Sequence, residues 1–300
     1  MARLLPLHLF ILLLFVGLEL LKLVLVNTGS WTNDTSPFTE EYSIASLVSN
    51  LFLLQSMGIH DQLTWNYPSW SISVEFYTYI IFSIITGFFH KFKKILNIQF
   101  AILIISSLII LLINTKNLNY ATYDFGIFRC VAGFFLGSLC YQFFLAKKDI
   151  KVPYATFIEV ALIVGIYFFI IYAGNNKLST LAPLLFTLTV FIFSFEQGAI
   201  SQLLKINIIQ NLGKWSYSIY MLHALLILII GRGFNVIEKI TGQSFLTEYT
   251  DTRESSVELI LYSSPYFMDF LTIVYILVLV AIASQTYKHI EINGNKLFRQ

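Results

Sequence analysis

Long runs of apolar residues, separated by short polar stretches, dominate the chain. A helix that spans a bilayer needs about 20 mostly apolar residues. Eight runs meet or approach that length: 4–26, 70–89, 98–114, 124–145, 154–173, 180–196, 212–231 and 266–287. The run 44–57 is too short to span, so we expect an interfacial or re-entrant helix there. The pattern predicts an all-α, polytopic membrane bundle with about eight spanning helices.

The first run, 4–26, also resembles the apolar region of a signal peptide, because Arg3 precedes it. It is long for such a region, however, and shows no small-x-small cleavage site near its end. Many similar runs follow it. We therefore expect a spanning helix at this position.

Composition excludes several classes of protein. Charged residues make up 12% of the chain and hydrophobic residues 57%. A soluble domain carries about 25% charged residues, so this chain cannot cover a surface that faces water. The net charge of +2 is too small for a nucleic-acid binder. Cys130 and Cys140 provide neither a disulfide framework nor metal-ligand spacing.

The distribution of Lys and Arg predicts the orientation. With the N-terminus inside and eight spans, twelve basic residues fall inside and five outside. The positive-inside rule favours this arrangement, with both termini in the cytoplasm. If 44–57 also spanned, the bias would be reversed. No linker or internal repeat divides residues 1–300, which predicts a single membrane domain in the inner (plasma) membrane.

Several ionisable residues lie at membrane depth, where each costs about 2.5–3.5 kcal/mol on insertion scales. They are Glu19, Lys22, Glu75, Arg129, Glu159, Glu196, His223 and Asp269. Such groups are retained where they face a polar interior or water. At 1.5 Å per residue, Glu75 and Arg129 lie roughly 7 Å inside the outer ends of their helices, and His223 roughly 12 Å.

Each ionisable group also has a structural interpretation. Glu19 and Lys22 are three residues apart and suited to pair with each other or to extend towards water. Asp269 lies near the headgroups, and Glu159 and Glu196 lie within reach of water. A structural ion pair between Glu75 and Arg129 stays open, as does a hydrogen-bonded core role for His223.

A polar cluster in the outer half of a bundle suits two kinds of function. One is passage of a substrate, as in a transporter. The other is activation of a hydroxyl for group transfer, which needs a base and a cation that holds an oxyanion. The chemistry of the residues alone does not separate the two. We find no inverted repeat and no pair of broken helices, which transporters often show.

Five strings carry most of these residues. They are 3–8 (RLLPLH), 70–77 (WSISVEFY), 129–137 (RCVAGFFLG), 212–223 (LGKWSYSIYMLH) and 287–291 (YKHIE). In content and order they resemble the motifs of the membrane-bound acyltransferase 3 family, which O-acylates sugars and polysaccharides. The resemblance extends over nearly the whole chain.

The resemblance implies a reaction and its participants. Acetyl-CoA in the cytoplasm would be the acyl donor, and a hydroxyl of a cell-envelope glycan or lipid-linked sugar the acceptor, among membrane lipids. Catalysis would fall to Glu75, Arg129 and His223. Substrate binding would fall to aromatic and hydroxyl residues of the same strings: Trp70, Ser73, Tyr77, Tyr217 and Tyr220.

Each of these assignments has a simpler alternative. The aromatic residues are equally suited to the interfacial belt and to packing. Serines of the strings, Ser218 among them, are suited to carry an acyl group, although serines that pack helices are commoner in membranes. Basic residues at 91–94 and 147–151 are placed to attract the phosphates of coenzyme A, or serve as topology signals alone.

One departure from the family pattern concerns the beginning of the chain. The family begins with two more helices that carry an R-x(10)-H motif, whose histidine is its leading catalytic candidate. Three explanations are open: a start upstream of Met1, a truncated and inactive product, or helices supplied by another chain. The alternatives to an acyltransferase are therefore an inactive remnant and a glycan or lipid transporter. The sequence sets no oligomeric state.

Overall fold

The computed structural model describes residues 3–29, 36–243, 245–250, 256–260 and 265–297. The α-helices within them, α1 to α11, are Leu4–Asn27, Ile44–Leu51, Trp70–Phe89, Lys93–Asn114, Gly126–Lys147, Ala155–Ala173, Ala182–Phe193, Ala199–Leu203, Asn207–Thr241, Pro265–Thr286 and Ile292–Leu297. A π-helical turn, Tyr287–Glu291, joins α10 to α11. The predicted all-α fold is confirmed.

A small sheet adds to the helices. Strand β1 (Leu246–Thr250) pairs with β2 (Ser256–Ile260) in antiparallel register, with Leu246 and Ile260 as backbone partners. The pair lies in the long connection between α9 and α10, where the apolar pattern predicts no spanning segment.

Seven helices in the described part of the chain are long and apolar enough to cross a membrane. They correspond to the predicted runs except 180–196. That run forms a shorter apolar helix, Lys177–Phe193, which begins as a 3₁₀ helix at Lys177–Leu181 and continues as α7.

Two boundaries differ from the apolar pattern in ways that matter for the site. Helix α9 has 35 residues and extends the predicted run 212–231 in both directions. Helix α5 begins at Gly126, so Arg129 lies in its first turn, about 4.5 Å from the start. Arg129 is therefore closer to the helix end than the roughly 7 Å that the sequence predicts.

The short helix α2 has 8 residues. At 1.5 Å per residue it is about 12 Å long, which is far less than the ~30 Å of a hydrocarbon core. This length agrees with the prediction that 44–57 does not span.

The outer surfaces of the long helices are apolar. Large side chains such as Leu13, Phe88, Ile113 and Phe157 are 68–76% exposed. A soluble protein rarely exposes so many contiguous apolar groups, whereas helices that face lipid do so as a rule.

The chain forms two compact units. The first comprises Met1–Trp31 and Asn211–Gln300, and therefore α1, most of α9, α10 and α11. The second comprises Thr32–Gln210, with α2 to α8.

An aromatic core joins α3, α4 and α5 in the second unit. Phe100 and Phe135 are buried, with their ring centroids 4.8 Å apart in an edge-to-face arrangement. Phe82 packs against both rings. Because lipid tails are as apolar as these rings, close packing and ring geometry stabilise the helix contacts here.

Glu159 corrects one expectation from the sequence. Its side chain does not reach water: the residue is 1% exposed. Its carboxylate accepts hydrogen bonds from the backbone N–H groups of Ile200 (3.0 Å) and Ser201 (3.2 Å), at the start of α8. These N–H groups have no partner within their own helix, so Glu159 acts as a cap supplied by a neighbouring helix.

Candidate functional site

Glu75 lies on α3 and is half-buried. The hydroxyl of Tyr79, one helical turn further on, donates a hydrogen bond to its Oε1 atom. This spacing of four residues places the two side chains on the same face of the helix. The other carboxylate oxygen makes no hydrogen bond or ion pair with a residue that the structure describes, and it keeps its capacity to accept one.

Arg129 lies at the start of α5 and contacts the start of α3. Its guanidinium lies over the ring of Trp70, 5.2 Å from the centroid, in a cation–π contact. One of its nitrogens, Nη1, donates to the carbonyl of Leu118 at 3.3 Å. Gly126 leaves room for this arrangement, because a Cβ atom there would approach the Trp70 ring to 3.2 Å.

Glu75 and Arg129 lie on helices that pack together, yet the structure forms no ion pair between them. The ion pairs in the described residues are Arg3–Glu291, Lys22–Glu19 and Lys205–Glu196. The structure therefore brings the carboxylate and the guanidinium to one region without the direct ion pair that was left open as an alternative.

A groove of about 320 Å³ runs from Arg129 along α5. Gly133 and Gly137 line it, together with Pro183 and Thr187 of α7. The two glycines and Arg129 recur every four residues and therefore form one face of α5. The glycines leave space beside the guanidinium.

Ser73 and Tyr77 hold a loop against α3. Ser73 is fully buried; its hydroxyl donates to the carbonyl of Leu53 at 2.6 Å and accepts from the N–H of Ser56 at 3.3 Å. The hydroxyl of Tyr77 donates to the carbonyl of Phe52 at 3.2 Å. The hydrogen bonds of these two predicted substrate-binding residues are thus with the protein's own backbone.

A buried polar layer fills the segment 43–69, which precedes α3. Asn50 donates to Thr64 at 2.8 Å, and the indole N–H of Trp65 donates to Ser46 at 3.0 Å. The charged residues of the sequence did not indicate this layer, because its members are uncharged. The cluster of Ser, Thr and Asn residues beside Trp65 was the signal that pointed to it.

His223 lies in the first unit, and Glu75 and Arg129 lie in the second. Its ring nitrogen Nδ1 makes a hydrogen bond to the carbonyl of Tyr220, whose ring lies 5.6 Å away. The hydroxyl of Tyr275 donates to the backbone carbonyl of His223 at 3.2 Å. The hydrogen bond of Nδ1 orients the imidazole. That His223 meets Glu75 and Arg129 stays a prediction.

Three of the five strings meet in the first unit around Glu291, which is 1% exposed. Arg3 donates from Nε to its Oε2 atom at 2.6 Å, and Ser218 donates to Oε1. Arg3 also donates to the carbonyl of Lys214 at 2.7 Å, and its guanidinium lies 5.5 Å from the centre of the Tyr287 ring.

The hydroxyl of Tyr217, a predicted substrate-binding residue, donates to the carbonyl of Leu4 at 2.6 Å. It strengthens the same connection between the start of α1 and α9. The burial of Glu291 was not predicted from the sequence, because Glu291 lies beyond the last apolar run. The acidic residue at the end of the string 287–291 was the available signal.

These features define the chain as a multi-pass membrane protein with polar clusters inside an apolar bundle. A family profile described as an acyltransferase domain matches residues 1–287. The chain therefore belongs to the acyltransferase 3 family, which confirms the resemblance and makes it an acyltransferase. Neither the comparison with curated proteins nor that with solved structures gave a match.

Proposed function

We propose that this acyltransferase transfers an acetyl group from cytoplasmic acetyl-CoA to a hydroxyl of a cell-envelope glycan or lipid-linked sugar. One observation supports this most directly. A carboxylate and a guanidinium lie in the same region of packed helices, within the matched family region, and no direct ion pair joins them.

The reaction needs both groups. The acceptor oxygen attacks the thioester carbonyl, the new C–O bond forms, the C–S bond breaks, and the proton of the hydroxyl moves to a base. Coenzyme A leaves as a thiolate and is protonated. A carboxylate can orient the attacking hydroxyl, and a cation can stabilise the negative charge that develops on the carbonyl oxygen.

Glu75 and Arg129 would divide these tasks. Tyr79 fixes one carboxylate oxygen of Glu75, and the other would accept the hydrogen bond of the acceptor hydroxyl. Trp70 lies against the face of the Arg129 guanidinium, whose N–H donors point outwards in the plane of the group. Arg129 would use these donors towards the oxyanion or a polar group of a substrate.

His223 would be a secondary proton donor or acceptor. Because a carbonyl oxygen only accepts, the hydrogen bond between Nδ1 and the carbonyl of Tyr220 needs a proton on Nδ1, and in the neutral ring Nε2 is then the acceptor. Trp70, Tyr217 and Tyr220 would offer aromatic faces to a sugar or adenine ring. Ser73 and Tyr77 would support the site through the loop that they hold.

The basic residues of two loops would attract the phosphates of the donor. Lys91, Lys93 and Lys94 lie where α3 ends and α4 begins, and Lys147 and Lys148 where α5 ends. Because α3, α4 and α5 alternate in direction, these positions share one end of the second unit. Glu75 and Arg129 lie near the other end. In the predicted orientation the lysines face the cytoplasm of a cell whose inner membrane holds the protein.

Two substitutions test the proposal in cells that carry the gene, with acetyl groups on the envelope glycan as the readout. Glu75→Gln keeps the shape of the side chain and removes its charge, and we expect acetyl transfer to fall at least about 100-fold. Arg129→Lys keeps the charge and removes the planar fork, and we expect a loss of about tenfold or more.

Glu196→Gln is the matched control. It also neutralises a glutamate, but one whose side chain is 57% exposed and paired with Lys205 at the surface. Its activity should equal that of the unchanged protein. Full activity of the Glu75→Gln protein at equal expression would refute the role of Glu75. If the unchanged protein transfers no acetyl group, the result would favour an inactive remnant of an acyltransferase. If a glycan or lipid substrate nevertheless crosses the membrane of vesicles without acyl-CoA, the result would favour a transporter.

A further inference from the structure

A second cavity lies within the first unit between α1 and α9. Its volume is about 200 Å³. Three charged side chains line it: Glu19 and Lys22 from α1, and Arg232 from α9. The remaining lining residues are aliphatic, for example Leu25 and Leu228.

The charges in this cavity do not balance. Glu19 and Lys22 are 5% and 8% exposed, and the distance between Lys22 Nζ and Glu19 Oε2 is 4.0 Å. Arg232 makes no hydrogen bond or ion pair with any residue in the described parts of the chain. The charged side chains that line the cavity therefore sum to one positive charge among aliphatic neighbours, where charge is costly. An anion would offset that cost.

Both cations of the cavity lie near the predicted outer ends of their apolar runs, where lipid phosphates are found. Lys22 lies five residues before the end of α1 at Asn27, or about 8 Å along the helix axis. Arg232 follows the predicted end of its apolar run at Gly231. Both cations are thus close enough to a membrane interface for their long side chains to reach a headgroup.

The shape and walls of the cavity favour an amphipathic ligand. Whole small-molecule sites usually measure about 300–1,000 Å³, so this cavity is too small for a complete lipid. It suits a headgroup phosphate, with the acyl chains continuing along the aliphatic side chains of α1 and α9. Basic pockets between membrane helices hold anionic lipid headgroups in this way.

We propose that the cavity between α1 and α9 binds the phosphate of an anionic phospholipid through Lys22 and Arg232. Glu19 holds Lys22 in place and weakens the binding of the anion by its own negative charge.

The test uses the purified full-length protein in a non-ionic detergent, with native mass spectrometry to measure lipid affinity. Three ligands are compared, so that binding of the anionic headgroup, of the acyl chains and of a free anion can be distinguished. They are phosphatidylglycerol, phosphatidylcholine with the same acyl chains, and inorganic phosphate. We expect clear preference for phosphatidylglycerol. A cation near an anionic headgroup contributes about 1 kcal/mol, so Lys22→Gln and Arg232→Gln should each weaken its binding about fivefold.

Glu19→Gln gives the sharpest prediction, because it should strengthen the binding of phosphatidylglycerol. A purely structural Glu19–Lys22 pair predicts the opposite, since its loss would disorder Lys22. Lys288→Gln is the matched control: it removes the same charge from the same unit at an exposed residue that does not line the cavity. The affinity of the Lys288→Gln protein for phosphatidylglycerol should not change.

Several results would overturn the proposal. Equal affinity for the two phospholipids would mean that the walls bind only acyl chains. Inorganic phosphate that binds as well as phosphatidylglycerol would make the cavity a simple anion site. Weaker binding of phosphatidylglycerol after Glu19→Gln would mean that the three charged residues form a network that only stabilises the fold. If Lys22→Gln does not fold, Arg232→Gln still decides, because Arg232 has no partner in the described residues whose loss would affect folding.

Discussion

Buried charges in this protein are retained where a second group satisfies them. Glu291 accepts hydrogen bonds from Arg3 and Ser218, and Glu159 accepts two from the backbone of α8. Both carboxylates are 1% exposed. Their hydrogen bonds offset the loss of water that burial imposes on a charge.

The Arg3–Glu291 pair predicts an asymmetric response to mutation. Arg3→Met leaves the buried carboxylate of Glu291 without its cation. Breaking a buried ion pair in this way lowers the free energy of unfolding by roughly 3–5 kcal/mol, and we expect a value near the lower end of that range. The lower end applies because the Arg3 side chain is 45% exposed and Ser218 still donates. Glu291→Gln removes the buried charge itself and should cost only about 1–2 kcal/mol.

The thermal unfolding midpoints of the purified proteins in one detergent show whether Arg3→Met destabilises the protein more than Glu291→Gln does. Lys205→Met, which breaks a pair with both side chains about half exposed, is the control and should cost less than about 1 kcal/mol. Equal midpoints for Arg3→Met and Lys205→Met would show that burial of Glu291 does not matter.

At the scale of elements, the short helix α8 depends on a contact with α6. A Cβ atom on Gly198 would overlap the Glu159 carboxylate that caps α8. Gly198 has a φ of −93°, which any residue can adopt, so space rather than backbone conformation requires glycine here.

Gly198→Ala should therefore destabilise the protein by about 1–3 kcal/mol, as overpacking usually does. Gly165→Ala in α6 is the matched control: nothing lies within 4 Å of its added Cβ, and alanine favours a helix, so stability should be equal or higher. Thermal midpoints compare the two. If the Gly198 and Gly165 variants have the same midpoint, the close contact with Glu159 does not constrain α8.

At the scale of the whole molecule, the helix Lys177–Phe193 decides the topology. Seven spans would place the chain ends on opposite sides of the membrane, whereas eight place both in the cytoplasm. The five 3₁₀ residues rise about 2.0 Å each and the twelve α-helical residues 1.5 Å, together about 28 Å. This length nearly equals the ~30 Å hydrocarbon core. We therefore expect Lys177–Phe193 to cross.

Cysteine labelling tests this expectation. In a protein with Cys130 and Cys140 replaced by alanine, a membrane-impermeant thiol reagent added outside should label Asn175→Cys and spare Leu204→Cys. Both positions are exposed and flank the helix. Asn119→Cys and Asp149→Cys are the controls for the outer and inner sides. External labelling of Leu204→Cys as well would mean that Lys177–Phe193 does not cross.

The sequence predicted the helices well because lipid leaves a spanning backbone few alternatives. Each N–H and C=O group must be paired within the segment, so an apolar run of sufficient length becomes a helix. The run 180–196 was the exception, because Pro183 and the polar residues before it form a shorter helix with a 3₁₀ start. The order of the motif strings also determined the family.

The tertiary structure decided which polar side chains meet. Arg3 and Glu291 are 288 residues apart and still share a hydrogen bond, while Glu75 and Arg129 share a region but no ion pair. Depth along a helix follows from sequence at 1.5 Å per residue, but the neighbour across the helix contact depends on rotation and packing. The sequence therefore determined the spans and the reaction class, and helix packing alone assigned the partners of each buried charge.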